Sequence, residues 1–393
     1  MKYNVLFVLV CFLAVCKSKM FEIELKRMKS GFENMLQEKI SPNVIDEIFS
    51  VEAKIYKKLT EKLGNVAPVP LFKFLDAEYY AQILIGSPGQ KFNVVFDTEW
   101  PITWVPSVLC PSFQIPCALR RKYDGNRSSK SVNLLKSYKI PVGSSNLTGL
   151  LWMDDVHVNT AGVTNQTFLA ASHIPWSMVF SKVDGVVGLA PNNDALPNAL
   201  PLFQNLIRQN KIQKNMFSVY LNRDPHSSKG GTILFGGIDP KHYNGSFTYL
   251  KVDPKTKLWS FIINKIYMGN TTVCSTGCNS LLDTSSNFIT GPSKDIENFN
   301  KFLNTTYLGG GHYMVDCGNV NKLPPLYISM GGRDFKLKGE DYVQELEIGP
   351  FTFCLSLLVS STDPFWTLGG AFMSRYYVTF DMENYKVGFA NAQ

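Results

Sequence analysis

Apolar and polar positions divide the chain into three zones. Val5 to Cys16 (VLFVLVCFLAVC) is one short apolar run behind a single early cation, Lys2. Such a run has the length of a secretion signal and is short for a membrane span. The signal is placed at 1–18, with the cut near Cys16 to Ser18; a signal anchor is the alternative. From about residue 19 to 68 the chain is rich in Lys and Glu and reads as helical, as in FENMLQEKI and EIFSVEAKIYKKLTEKL. From about residue 71 the texture changes to short apolar or alternating runs, such as YYAQILIG, FNVVFD, FSVYL, GTILFGG, FTYLKV and YYVTFD. Gly, Pro, Asn and Asp punctuate them, which predicts strands joined by turns. The body is therefore expected to be mostly β.

A faint internal repeat runs through that body. An apolar run ends in Asp-Thr at VVFDT (Asp97) and again at SLLDT (Asp283), 186 residues later. Each is followed at a distance by a Gly-centred apolar segment, VDGVVGLA around Gly185 and FWTLGGAF around Gly369. Asp-Thr alone carries no information, because it is common in turns. Its repetition predicts two similar halves, each giving one Asp to a shared cleft.

Composition narrows the class. Of 393 residues, 45% are hydrophobic and 18% charged, enough for a large core and too apolar for a disordered chain. The net charge of +7 is mild, with Lys and Arg scattered, so a nucleic-acid partner is not expected. No segment after the first reaches the roughly 18 apolar residues of a stable membrane span. Cys11 and Cys16 leave with the signal, and Cys110, Cys117, Cys274, Cys278, Cys317 and Cys354 remain. Six cysteines allow fifteen pairings. The close pairs 110/117 and 274/278 invite local bridges, leaving Cys317 with Cys354; zinc is the rival, but no histidine sits near either close pair. Asn126, Asn146, Asn165, Asn244, Asn270 and Asn304 head N-x-S/T acceptor patterns, which fits a glycosylated surface.

From Leu71 to the C-terminus the chain resembles the pepsin family of aspartic proteases, in its cathepsin D branch. The motifs that carry the likeness are DAEYYAQILIGSPGQKFNVVFDT, WVPS (Trp104 to Ser107), VDGVVGLAP, GGTILFGGIDPKHYNGSFTYL, CNSLLDTSSNFITGP, PPLYISMGGRDFKL and RYYVTFDMENYKVGFA. The resemblance implies a bilobal β fold with pseudo-twofold lobes, a cleft between them and a hairpin flap. It divides the chain into a prosegment at 19–68, an N-terminal lobe at 69–245 and a C-terminal lobe at 246–393. It matches the three cysteine pairs. It makes Asp97 and Asp283 the catalytic pair, with Thr98 and Thr284 linking their loops; turn-capping is the plain alternative for the two acids. Two such carboxylates share a proton, and a water between them attacks the peptide carbonyl without metal or cofactor. An extended peptide or protein is the implied occupant of the cleft. A monomer in the secretory pathway, outside the cell or in an endolysosomal lumen, is the implied setting.

The family pattern is Asp-Thr-Gly at both sites, and both are broken here. Glu99 and Ser285 stand for the glycines, and Trp100, followed by Pro101, replaces a supporting Ser. Ser286 keeps a hydroxyl on the other side. Glu99 brings a third carboxylate that either fills substrate space or swings into solvent. At the flap, in SYKIPVGSSNLTG, Val142 precedes Gly143 where the family carries a Tyr that bonds the Trp matched by Trp104, and Ser145 replaces another Gly. Gly370 replaces an Asp; drift would account for it and for Val142. In the family a prosegment Lys blocks the pair; Lys54, Lys57 or Lys58, around Tyr56, would do so, unless they form only a solvated helix face. Two functions are consistent with this pattern: a weakened acid endopeptidase, and an inactive homologue acting as a secreted binding protein.

Overall fold

The computed structural model of the chain describes residues 19–29, 79–142, 145–191, 199–224, 227–253, 255, 256, 258–348 and 351–393. The expected signal, the helical examples, Lys54, Tyr56, Lys57, Lys58 and Gly143 lie outside the described residues.

The fold is mostly β and bilobal. One sheet runs in the order Tyr243–Lys251, Lys386–Ala392, Tyr376–Asp381, Met216–Leu221, Lys229–Phe235, Phe21–Arg27, Tyr79–Ile85, Gln90–Asp97, Gly185–Gly188, Trp104–Pro106, Ala161–His173, Ser145–Val158 and Val132–Val142. Its first six strands come from 21–27, 216–251 and 376–392, so the lobes share a spine. The division drawn at 245/246 falls inside strand Tyr243–Lys251, which pairs with Lys386–Ala392. The second half builds three sheets of its own, with five, four and four strands.

The helical expectation fails where residue 19 begins it. Phe21–Arg27 is a strand, antiparallel to Lys229–Phe235 and touching Tyr79–Ile85 through Lys26 and Arg27. FEIELKR alternates with period two, which is the signature of a strand with one buried face. Phe21, Ile23 and Leu25 are buried and Glu22, Glu24 and Lys26 face outward. Phe21 stacks on Phe235 at 5.1 Å between ring centroids. Arg27 ends the strand by donating through Nη2 to Tyr79 Oη (3.0 Å) and to the Asn222 carbonyl (2.7 Å).

The internal repeat is a repeat of topology. Gln90–Asp97 runs parallel to Gly185–Gly188, and Cys278–Leu282 runs parallel to Trp366–Leu368. Trp104–Pro106 meets the first Gly-centred strand antiparallel, as Ile289–Pro292 meets the second. The Gly-centred strands serve the same end in both halves. A Cβ at Gly188 would fall on the backbone of residues 100–102, and one at Gly369 on the carbonyls of Ser286 and Phe288. Only Gly lets the loop after each Asp lie that close.

Aromatic packing fixes the lobes to each other behind the loops. Phe217 stacks on Phe380 at 4.5 Å, and Trp259 meets both edge-on. Trp259 Nε1 donates to the Leu189 carbonyl (2.9 Å), while Leu189 N donates to the Asp97 carbonyl (2.8 Å). The three disulfides are Cys110–Cys117, Cys274–Cys278 and Cys317–Cys354.

Candidate active site

Each buried apolar strand ends in a turn whose carboxylate is held by the turn itself. Asp97 Oδ1 accepts from the backbone N–H of Glu99 (2.8 Å) and of Trp100 (3.0 Å). Asp283 Oδ1 accepts from the Ser285 N–H (2.8 Å) and the Ser285 hydroxyl (2.7 Å). Both acids are buried. Asp283 Oδ2 accepts no hydrogen bond among the described residues.

The two turns are bolted together by the threonines that follow the acids. Thr98 Oγ1 accepts from Thr284 N (3.1 Å) and donates to the Leu282 carbonyl (2.7 Å). Thr284 Oγ1 accepts from Thr98 N (3.2 Å) and donates to the Phe96 carbonyl (2.6 Å). Exchanging 96, 97 and 98 with 282, 283 and 284 maps one set of bonds onto the other. Two residues that are distant in sequence are thereby held on adjoining loops with matched geometry. Four buried hydrogen bonds, each with both partners satisfied, leave little freedom for one loop to shift without the other.

Around this symmetric core the fillings differ. Glu99 is 8% exposed, so it does not swing into solvent. Trp100 is 1% exposed and belongs to one apolar cluster with Ile102, Trp104, Ile140, Val142 and Leu147. The flap is the hairpin of Val132–Val142 and Ser145–Val158, in which Val142 faces Ser145 across the tip. Val142 is fully buried, so the tip end of the flap packs into the same cluster as the first Asp loop. Trp104 Nε1 is buried and makes no hydrogen bond among the described residues. The Val142 side chain has no acceptor to give it.

Two features were not read from the sequence. The hydroxyl on Asp283 is that of Ser285, at the former Gly position, whereas Ser286 Oγ accepts from Phe288 N (3.2 Å). Gly370 is matched by Asn287: a Cβ at Gly370 would fall 2.5 Å from Asn287 Oδ1. A side chain at 370 and Asn287 in its present place exclude each other. The second loop also rests on a buried histidine. Phe288 meets the His312 ring edge-on at 5.1 Å, and desolvation pushes the His312 pKa down from 6.5 to about 3.

Among the described residues, one trio places three possible metal-ligand atoms together, Glu22, Asp239 and His242. It lies on strand Phe21–Arg27 and the turn Pro240–His242, and Asp239 Oδ1 already accepts from Lys241 N (3.0 Å). No helix among the described residues is long and apolar enough to cross a membrane.

The sequence of the chain is similar to those of known proteins. A family model described as eukaryotic aspartyl protease matches residues 78–392. Cathepsin D of Gallus gallus is 37% identical, the match covering 84% of this chain and 84% of that protein. Cathepsin D of Homo sapiens is 34% identical across 98% of this chain and 97% of its own length. Cathepsin E of Aquarana catesbeiana is 34% identical across 94% and 92%.

Proposed function

Because the chain belongs to the eukaryotic aspartyl protease family, we propose that it is an endopeptidase that hydrolyses peptide bonds in acid with Asp97 and Asp283, at a reduced rate. The reciprocal threonine lattice carries this reading. It holds the two acids on matched, adjoining loops, and all four of its bonds are made. In the mechanism, one carboxylate takes a proton from the attacking water and the other, protonated, gives one to the carbonyl oxygen. Acid favours the state in which the pair holds one proton between them. The donors on each Oδ1 fix the planes of the two carboxylates. Substrate is an extended peptide laid between the lobes under the flap. The chain works as a monomer in the lumen of the secretory pathway or outside the cell, with 1–18 as its signal.

The rate is reduced on the first loop. Glu99 adds a buried carboxylate two residues from Asp97, and the Val142 side chain of the flap supplies no acceptor for Trp104 Nε1. One lost transition-state hydrogen bond costs about 3 kcal/mol, or roughly a hundredfold in rate. The same observations favour a second reading, a secreted protein that binds peptides in its cleft and does not turn them over.

Residues 19–68 act as a prosegment. Strand Phe21–Arg27 buries three large side chains in the shared sheet, and each stabilises the fold by about 2 kcal/mol. Removing the segment therefore requires another strand to take that place.

Cleavage of a denatured protein at about pH 4, with and without a pepstatin-type inhibitor, tests the enzyme reading. Inhibitor-sensitive cleavage that disappears in Asp97→Ala and in Asp283→Ala is the expected result. Peptide binding without any such cleavage establishes the second reading instead.

A further inference from the structure

Large apolar side chains belong inside, and residues 108–119 break that rule. The loop is closed by Cys110–Cys117 and contains the short helix Ile115–Ala118. It turns Val108, Leu109, Phe113, Ile115 and Leu119 outward, with Phe113 85% exposed. Beside it, the turn Trp176–Phe180 packs on that helix and presents Trp176, 62% exposed.

This surface is braced. The buried Arg120 guanidinium donates to the carbonyls of Val183 (2.9 Å), Pro116 (2.6 Å), Ser181 (2.8 Å) and Met178. Pro116 lies in the helix and Met178 in the turn, so one side chain ties both elements. Desolvation lowers the Arg120 pKa to about 10, so it stays a cation. Gln114 Oε1 is bonded to His173 Nδ1 (3.0 Å), a third tie. The exposed side chains thus sit on a preformed platform, and a surface that is already ordered loses little entropy when it binds.

The two segments that form the platform carry only positive side chains, with Asp124 and Asp184 directly beyond them. Segments 108–123 and 172–183 contain Arg120, Arg121, Lys122 and Lys182, and no Asp or Glu. Lys122 Nζ sits on the loop itself, bonded to the Cys110 carbonyl (2.7 Å) and Ser112 Oγ (2.9 Å). Arg121 is half exposed, 3.7 Å from Asp184. Trp, Phe and Leu flanked by Lys and Arg is the composition that seats itself at a bilayer interface, where apolar groups enter the acyl boundary and cations meet anionic headgroups. We propose that this platform docks the protein peripherally on an anionic lipid surface, with Phe113 and Trp176 inserted and Lys122 and Arg121 against the headgroups.

Cosedimentation of the full chain with phosphatidylcholine vesicles, with and without phosphatidylserine, tests it. The expected result is binding that requires phosphatidylserine, weakens with added salt, and drops about tenfold or more in Phe113→Asp/Trp176→Asp. Leu135→Asp, also exposed but on the flap strand, keeps full binding. Trp176 is the one exposed tryptophan of six, so docking also shifts the emission to the blue. Equal binding to both vesicle types, or undiminished binding by the double variant, overturns the proposal. So does a dimer in solution that the double variant dissolves, because the platform then faces a second copy.

Discussion

The loop after Asp97 and the loop after Asp283 share a frame and differ in filling. Both follow a strand that runs parallel to a Gly-centred partner, both give two donors to one carboxylate oxygen, and both enter the threonine lattice. On the first loop both donors are backbone N–H groups, and the side chains of Glu99 and Trp100 are buried bulk. On the second, one donor is a hydroxyl, and Ser285 and Ser286 leave the turn small and polar. The difference teaches that support of the carboxylate is a property of the turn and survives Glu at the Gly position. The side chains placed there act on space and charge around the pair instead.

Breaking the lattice is the strongest test of the shared frame. Thr98→Ala leaves the Thr284 N–H and the Leu282 carbonyl buried without these partners, at a cost of roughly 4 kcal/mol. Thr284→Ala does the same to Thr98 N–H and the Phe96 carbonyl. Denaturant unfolding is expected to give the two variants the same loss to within about 1 kcal/mol. A large inequality would show that the lobes do not share the load.

The second loop rests on a buried titratable ring, His312 against Phe288, so acid should act on that half. The His312 pKa is about 3 when folded and 6.5 in its ordinary state, so the unfolded chain binds the extra proton. Stability is therefore full above pH 6.5 and falls as pH drops toward 3, by about 1.4 kcal/mol per unit. Between pH 6.5 and pH 4 the loss is roughly 3 kcal/mol. His312→Gln is expected to flatten that part of the stability profile, and a slope unchanged by the substitution would remove His312 as its source.

The first loop yields the next effect. Trp100 is too deeply buried to replace cleanly, since removing a buried Trp costs roughly 3–5 kcal/mol in cavity and lost contacts. Glu99→Gly is the sharper variant. It removes the extra carboxylate while Asp97 keeps its two N–H donors from the backbone. Acid cleavage is expected to rise by about tenfold to a hundredfold, the worth of one transition-state interaction. No rise would move the damage to Val142 and the flap.

Much of this comparison was legible in the sequence. Apolar runs ending in Asp-Thr, and the Gly-centred runs behind them, are backbone-level signals, and the topology repeats them. Phe21–Arg27 was masked by its neighbourhood: the Lys and Glu content of 19–68 reads as helix, although FEIELKR alternates through its whole length. Which hydroxyl reaches Asp283 was not legible either. Motif position points to Ser286, but the turn carries Ser286 to Phe288 N and brings Ser285 to the carboxylate. The exchange between Gly370 and Asn287 depends on contact across two loops, which no local pattern carries.

Ser285 gives the smallest effect and the closest reading of the asymmetry. Its N–H and its hydroxyl converge on the same oxygen, at 2.8 and 2.7 Å. Ser285→Gly restores the family residue and keeps the N–H, yet removes a donor that the first loop does not have. If the hydroxyl only occupies space, the substitution leaves cleavage unchanged or improves it. If it positions the carboxylate, the variant loses roughly 1 kcal/mol of hydrogen bonding, and kcat falls about fivefold with KM little changed. Ser285→Thr, which keeps the hydroxyl, is then expected to recover part of the loss where Ser285→Ala does not. A rise in kcat for Ser285→Gly would place Ser285 with Glu99 as a hindrance, and the two loops would differ only in degree.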